Sequence, residues 1–156
     1  MGQVSLPSSK SISNRLLLLR HYYHNSFEIA NLSDADDTVL LSTILELIRQ
    51  YQSKNETRLL RIDTRNAGSV IRFLIPLLSL TRGHFLLTGS ERMKQRPVGA
   101  LVEAMREAGA DIDYLENTGF PPLLIRGRQM KISRLRLDAS VSSQFVTALM
   151  LVAPTF

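Results

Sequence analysis

The chain has 156 residues, of which 44% are hydrophobic and 21% are charged. This length suits one ordinary domain, and this composition excludes a disordered tail. Cysteine is absent, which excludes disulfides, thiolate catalysis and zinc–cysteine sites. The first ten residues lack the apolar core of a secretory signal, and no apolar run is long enough to cross a bilayer. We therefore expect a cytoplasmic protein that does not enter a membrane.

The formal net charge of +5 favours an anionic partner, either a nucleic acid or a phosphorylated metabolite. Nucleic-acid interfaces usually combine basic clusters with exposed aromatic residues. The most basic stretch, residues 126–136, contains no aromatic residue. The sequence therefore favours phosphorylated metabolites, and we expect no nucleic acid as partner.

Apolar spacing predicts the elements of the first half of the chain. Residues 11–20 form a helix capped by Ser11 or Ser13, and the short alternation at 27–32 is typical of a strand. Helical spacing follows at 36–51, and alternation at 57–63 indicates a second strand. Residues 67–80 are apolar on nearly every side, which predicts a buried helix that Pro76 bends or ends early.

The second half continues with similar short elements and no low-complexity linker. A strand is predicted at 83–87, and a helix at 98–108 with Pro97 at its first position and Gly109 just past its end. Short strands follow at 112–115, 123–125 and 135–137, and a last helix covers 142–153. Helices and strands of similar size alternate without a glycine-rich dinucleotide turn, which indicates an α/β (α+β) fold.

Two polar clusters near helix starts could bind anions. Residues 8–15 combine several hydroxyls with Lys10 and Arg15, although a serine-rich cap before a solvated basic helix explains them equally well. Residues 64–72 contain Gly68, which permits close backbone approach, and Arg72, a lone guanidinium in an apolar run. Because a buried unpaired charge is costly, Arg72 needs a ligand, solvent or Asp63 as its partner.

Two further clusters are ambiguous without context. Residues 91–97 are typical of a charged turn ahead of a helix, and residues 140–144 of a simple helix cap.

No metal site is predicted, because the candidate ligands do not have the spacing that a metal site needs. The start of a calcium loop at Asp34 has Val39 where glycine is needed, and His21 and His24 lack a third ligand. We therefore expect no metal, and the aspartates are assigned to the cap of the helix that follows.

Taken in order, these clusters resemble the 5-enolpyruvylshikimate-3-phosphate synthases. Residues 6–15 are similar to the family's LPGSKSISNR, with Ser8 for glycine, and residues 66–72 to its NAGTAMR, with Ser69 for threonine. Residues 33–38 are similar to the family's S-x-D-T helix start, and residues 91–97 match its RMKERP turn. Residues 119–123 resemble its G-[YF]-PPL stretch, and residues 142–145 match its SSQF motif. The similarity covers residues 6–154, and the ordered set is far more specific than any single motif.

The resemblance implies a fold and an activity. Members transfer the enolpyruvyl group of phosphoenolpyruvate to the 5-hydroxyl of shikimate 3-phosphate, a step towards chorismate and the aromatic amino acids, without cofactor or metal. Their two lobes, built from repeated βαβαββ units, close over both substrates. Here residues 1–20 would be the lobe-connecting segment with the substrate-binding loop and first helix. Residues 21–156 would be an incomplete substrate-binding lobe.

Residue roles follow from the same resemblance. Lys10 would touch the phosphoenolpyruvate side of the site, and Ser11 and Arg15 would hold shikimate 3-phosphate. Phosphoenolpyruvate would be bound by Gly68 and Arg96. Asn66 would lie beside those two residues and Arg72 on or just behind the site. The 3-phosphate of shikimate 3-phosphate would be clamped by Ser142 and Ser143, with Gln144 bridging both substrates.

The family's chain is well over twice as long, so the resemblance implies a truncated chain or an excised lobe. Its acid–base residues are expected outside this sequence, which predicts that this chain alone is catalytically inert. The full-length enzyme is expected to be a monomer, whereas the isolated lobe could self-associate through a surface that its partner lobe covers.

Other readings remain open. The related transferase that acts on UDP-N-acetylglucosamine usually carries a reactive cysteine, which this chain lacks. A non-catalytic phosphate-binding module and a nucleic-acid module are the alternatives from other classes.

Overall fold

The computed structural model describes residues 7–24, 26–54, 56–138, 140 and 142–155. Within them lie a short 3-10 turn, Ala153–Thr155, and ten helices and strands. In chain order these are α1 Lys10–Tyr22, α2 Asp36–Ser53, β1 Leu59–Asp63, α3 Gly68–Leu80, β2 Gly83–Thr88, α4 Glu91–Lys94, α5 Gly99–Glu107, β3 Asp111–Tyr114, β4 Leu123–Gly127 and α6 Ser143–Val152.

The four strands form one mixed sheet in the order β1-β2-β4-β3. Strands β1 and β2 are parallel, and β4 runs antiparallel to both β2 and β3. With α3 and α5 as its longer connections, the segment from β1 to β4 is one complete βαβαββ unit. This arrangement confirms the predicted α/β fold class and its unit.

One face of the sheet is more deeply buried than the other, because successive side chains of a strand point to opposite faces. Ile62, Phe85 and Ile125 are at most 1% exposed, and α3 contacts β2 and β4 of this sheet as well as α5 and α6. On the other face, Arg126 pairs with Asp111 at 2.8 Å and Asp113 at 2.7 Å. Helix α3 is therefore the central helix of the molecule, as its all-round apolar sequence predicts.

The prediction that Pro76 ends this helix early is wrong, whereas a bend at Pro76 stays a prediction. Helix α3 continues through Pro76 to Leu80, and Pro76 itself is buried. A proline removes one backbone hydrogen bond from a helix interior. Packing of α3 against the sheet and α6 outweighs that loss.

Two predicted strands are also wrong. Residues 27–32 contain a bend and a turn and no strand, with Asn31 at a positive φ of 56° that interrupts an extended chain. Residues 135–137 have no strand assignment, although Leu135 and Leu137 pack against the core. In the first segment, Ile29 also packs against the core, whereas Leu32 is exposed.

Helix ends differ from expectation in three places. Ser9, and not Ser11 or Ser13, caps α1 by accepting a hydrogen bond from the Ile12 amide. Pro97 precedes the N-cap of α5, although Gly109 follows the helix at positive φ as expected. The charged turn at 91–97 contains the short helix α4, which Ser90 caps.

Candidate functional site

The site begins at the carboxyl ends of the parallel strands β1 and β2, which meet at one edge of the sheet. Two backbone hydrogen bonds fasten the turns that follow these strands. The Thr64 amide donates to the Thr88 carbonyl at 2.9 Å, and the Ser90 amide to the Arg65 carbonyl at 3.0 Å. The Ser90 hydroxyl also donates to Oδ1 of Asn66. The start of α3 and the segment leading to Arg96 are thereby held side by side.

Helices α1 and α6 add the other two polar clusters to this edge. The result is a cleft of about 370 Å³. It contains eight of the ten residues that the sequence assigned to substrate binding, namely Lys10, Ser11, Arg15, Asn66, Gly68, Arg72, Arg96 and Gln144. Residues up to 134 positions apart in the sequence thus share one surface, which local sequence patterns alone could not establish.

The start of α3 forms one wall of the cleft. Its N-cap residue, Ala67, makes no side-chain hydrogen bond to the helix. A Cβ atom built on Gly68 would collide with the guanidinium of Arg96. Glycine therefore lets a cation approach the first turn, where backbone N–H groups already favour an anion.

The cleft carries a surplus of positive charge. Lys10 forms an ion pair with Asp37, with 3.0 Å between Nζ and Oδ2. Four cationic side chains line the cleft against this one carboxylate. Burial, and then repulsion from Arg96, lower the pKa of Arg72. Both effects disfavour the charged guanidinium, so an anion bound between Arg72 and Arg96 would relieve the repulsion.

Arg72 finds its protein partner on another helix. Its Nη1 donates to Oε1 of Gln144 at 2.7 Å, and its guanidinium lies 5.6 Å from the centre of the Phe145 ring. The alternative pairing with Asp63 is wrong, because no contact between Arg72 and Asp63 is found among the described residues; the Asp63 carboxylate accepts from the Arg65 backbone amide at 2.7 Å. The contact joins α3 to the start of α6.

Ser142 and Ser143 lie next to the cleft but are not among its described lining residues. Ser142 caps α6, because its hydroxyl accepts a hydrogen bond from the backbone N–H of Gln144 at 3.2 Å. Ser143, the first residue of α6, is exposed. The sequence-predicted pair is therefore adjacent to Gln144 in the chain but is not part of the described lining of the cleft.

Four lining residues were not assigned as site residues from the sequence: Asn14, Asp37, Ser69 and Phe73. Asn14 follows Lys10 by one helical turn, so helical spacing could have found it. Asn14 is 1% exposed, and both its amide atoms lack a hydrogen-bond partner among the described residues. The Ser69 hydroxyl is similarly buried. Asp37 was assigned to helix capping, and it does lie in the first turn of α2, although Ala35 is the N-cap.

Larger hollows exist elsewhere on the described surface, including one of about 520 Å³ lined by His21, Tyr22 and Arg49. The smaller cleft differs from it, because its lining residues come from four separate polar clusters.

Within the described ranges, no group of three or more metal-ligating side chains is found. No helix among the described residues is long and apolar enough to span a membrane.

The comparisons with known proteins agree with this geometry. The family model described as EPSP synthase (3-phosphoshikimate 1-carboxyvinyltransferase) matches residues 1–156. A 3-phosphoshikimate 1-carboxyvinyltransferase of Vibrio atlanticus is 43% identical over 169 residues, covering 98% of this chain and 40% of the relative. A second such relative, from Bacteroides fragilis, is 44% identical over 151 residues, which are 97% of this chain and 34% of that relative. The chain belongs to the EPSP synthase family.

A solved structure supports the fold independently. EPSP synthase from Acinetobacter baumannii superposes with a TM-score of 0.73 at 19% sequence identity. The match covers 96% of this chain and 38% of that protein. The chain thus spans about two fifths of the length of these relatives and has the fold of the corresponding part.

Proposed function

We propose that this chain is the N-terminal, substrate-anchoring part of a 3-phosphoshikimate 1-carboxyvinyltransferase. Such an enzyme moves the enolpyruvyl group of phosphoenolpyruvate to the 5-hydroxyl of shikimate 3-phosphate and releases phosphate. The observation that carries this proposal is the cleft itself, which joins Lys10, Arg15, Arg72 and Arg96 to the start of α3. Both substrates carry several negative charges, which these groups can neutralise together.

The two walls of the cleft suit different parts of the ligands. On α1, Nη1 of Arg15 donates to the Ser11 hydroxyl and to the Ser11 carbonyl, the latter at 3.0 Å. This wall is assigned to shikimate 3-phosphate, with Ser142 and Ser143 close to its 3-phosphate. On the opposite wall, Gly68 and Arg96 are assigned to phosphoenolpyruvate, with Asn66 beside them. Gln144 also lines the cleft and is assigned to both substrates.

The chemistry of these residues is binding and orientation. Fixed positive charges and helix N–H groups hold anionic ligands without the reorganisation that water would require. The proton-transferring residues are assigned to the part of the enzyme that follows this sequence. Residues 1–20 are then the lobe-connecting segment and 21–156 an incomplete lobe, in a cytoplasmic enzyme without cofactor.

The chain alone should therefore be inert. A coupled phosphate-release assay with both substrates is expected to give no turnover above a protein-free blank. Turnover that scales with the concentration of the chain would contradict this assignment of the acid–base residues.

Chemical-shift mapping tests where the ligand binds. Titration of the ¹⁵N-labelled chain with shikimate 3-phosphate should shift backbone amides in residues 10–15, 66–72 and 142–145. Shikimate at the same concentrations should cause smaller shifts, because it lacks the phosphate. Shifts confined to the hollow around His21, or no shifts in a folded sample, would contradict the proposed site.

The remaining lobe is proposed as the partner of this chain. Ile12 and Met150 are 59% and 69% exposed, although both are apolar. We expect such surface to promote self-association of the isolated chain. Sedimentation velocity over a concentration series checks this, and a monomer at all concentrations would contradict it.

A further inference from the structure

The hydrogen bond between Arg72 and Gln144 fixes which way the Gln144 carboxamide faces. A guanidinium has donors only, whereas a carboxamide has an oxygen acceptor and an NH₂ donor at opposite sides. Only the orientation with Oε1 towards Arg72 gives the observed 2.7 Å hydrogen bond. The donor side of Gln144 is therefore turned away from Arg72.

The guanidinium is itself restrained. Phe145 holds it through a cation–π contact of 5.6 Å, and α3 packs closely against α6 over the rest of their contact. Gln144 is only partly buried and lines the cleft together with Arg72 and Arg96. Within the described part of the chain, its Nε2 group has no hydrogen-bond partner. The free donor of Gln144 is thus left for a molecule in the cleft.

We propose that Arg72 is a positioning residue that acts through Gln144, so that the Nε2 donor meets an acceptor oxygen of the bound ligand. This inference rests on the proposed function, which supplies ligands with phosphate, carboxylate and hydroxyl oxygens. Without the contact to Arg72, the carboxamide rotates and presents its own oxygen to an anion in part of the molecules. The pairing therefore selects for an acceptor at this point of the cleft.

A double-mutant cycle separates positioning from simple attraction. Arg72→Lys keeps the positive charge but loses the planar fork of donors, and Gln144→Met keeps the length of the side chain without its polar atoms. Calorimetry with shikimate 3-phosphate should show each single change weakening binding about tenfold, the scale of one hydrogen bond. The double variant should bind no worse than the weaker single variant, because both changes remove the same donor.

Independent action predicts a different result. If Arg72 attracts the ligand only by its charge, Arg72→Lys binds nearly as tightly as the native chain and the two effects multiply in the double variant. Either finding overturns the proposal. Gln144→Glu provides a second variant, since its carboxylate would pair with Arg72 yet present an acceptor to an anion. It should bind more weakly than Gln144→Met.

A ligand-free measurement keeps this inference distinct from the proposed function. In the native chain, the Gln144 side-chain amide should give dispersed ¹⁵N–¹H resonances that collapse towards the free-glutamine position in Arg72→Lys. Arg136→Lys, at an exposed position outside the cleft, should change neither this signal nor binding. Unchanged Gln144 resonances in a folded Arg72→Lys chain overturn the positioning role. If the native chain binds no shikimate 3-phosphate, the proposed function fails, and the resonances alone decide whether Arg72 positions Gln144.

Discussion

The cations of the cleft differ in how far the protein neutralises them. Lys10 has a carboxylate partner in Asp37, whereas Arg72 is bound by the uncharged amide of Gln144 and by an aromatic ring. A neutral partner satisfies a donor without cancelling its charge. Arg72 and Arg96 therefore retain their attraction for an anionic ligand, at the cost of mutual repulsion that lowers the pKa of Arg72.

His21 provides a residue-scale prediction for stability. Burial, and then the nearby charge of His24, lower the pKa of His21 from its ordinary value of 6.5. The unfolded chain therefore takes up a proton at higher pH than the folded chain. The contribution of His21 to the free energy of unfolding is full above the pKa that His21 has in the unfolded chain. It is lost as the pH falls towards the lower pKa that His21 has in the folded chain.

We expect the free energy of unfolding to fall between about pH 7.5 and pH 5.5, across the ordinary range of histidine titration. His21→Gln should reduce that slope in urea denaturation. His84→Gln, which changes an exposed histidine on β2, is the matched control and should leave the slope as it is. An equal slope in native chain and His21→Gln would contradict the prediction.

Helix α3 links the core to the site at the scale of elements. Its first turn supplies Gly68, Ser69 and Arg72 to the cleft, while its later residues pack on the sheet. Its C-terminal end meets β4 at Gly127. A Cβ atom built there would overlap the carbonyl oxygens of Leu78 and Thr81. Close backbone packing at one end of α3 thus helps to set the position of the other end.

Gly127→Ala should be strongly destabilising, because neither carbonyl can move without shifting α3 against the sheet. We expect the free energy of unfolding to fall by more than about 3 kcal/mol, the upper range for overpacking. Gly109→Ala is the control, since its Cβ would meet open space and only its φ of 99° is unfavourable. That strain costs about 1 kcal/mol. Equal losses in urea denaturation of both variants would contradict the packing argument.

Most elements could be predicted from sequence because their signals are local. Apolar spacing identifies α2 and the buried helix α3, alternation identifies β1, and the apolar run that follows Gly83 identifies β2. Helix α4 was missed because four residues are too few to show a helical period. The segment 27–32 alternates like a strand, but the positive φ of Asn31 is set by tertiary context.

The candidate site was predictable in its polar clusters and not in their contacts. Lys10, Arg15, Gly68 and Arg96 were identified by residue type and by resemblance, and the structure brings them together. The partner of Arg72 could not be predicted, because Gln144 lies 72 residues away and the pairing depends on how α3 packs against α6. The placement of Ser142 and Ser143 beside the cleft likewise depends on where α6 begins.

At the scale of the whole molecule, the βαβαββ unit and two flanking helices place four polar segments around one cleft. The chain corresponds to 40% of the Vibrio atlanticus relative. Substrate anchoring is proposed for this part and proton transfer for the remainder. Such a division predicts that ligand binding and turnover are separable properties. A surplus of positive charge also predicts that anion binding weakens as salt screens the cleft.

The proposed function requires the cleft to recognise a phosphorylated ligand through its cations. Calorimetric titration of the chain with shikimate 3-phosphate, and with shikimate as control, tests it most directly at low and moderate salt. We expect binding that needs the 3-phosphate, weakens with salt, and is lost in Arg15→Ala but kept in Arg136→Ala. Equal affinity for both compounds, or no binding by a folded chain, would contradict it.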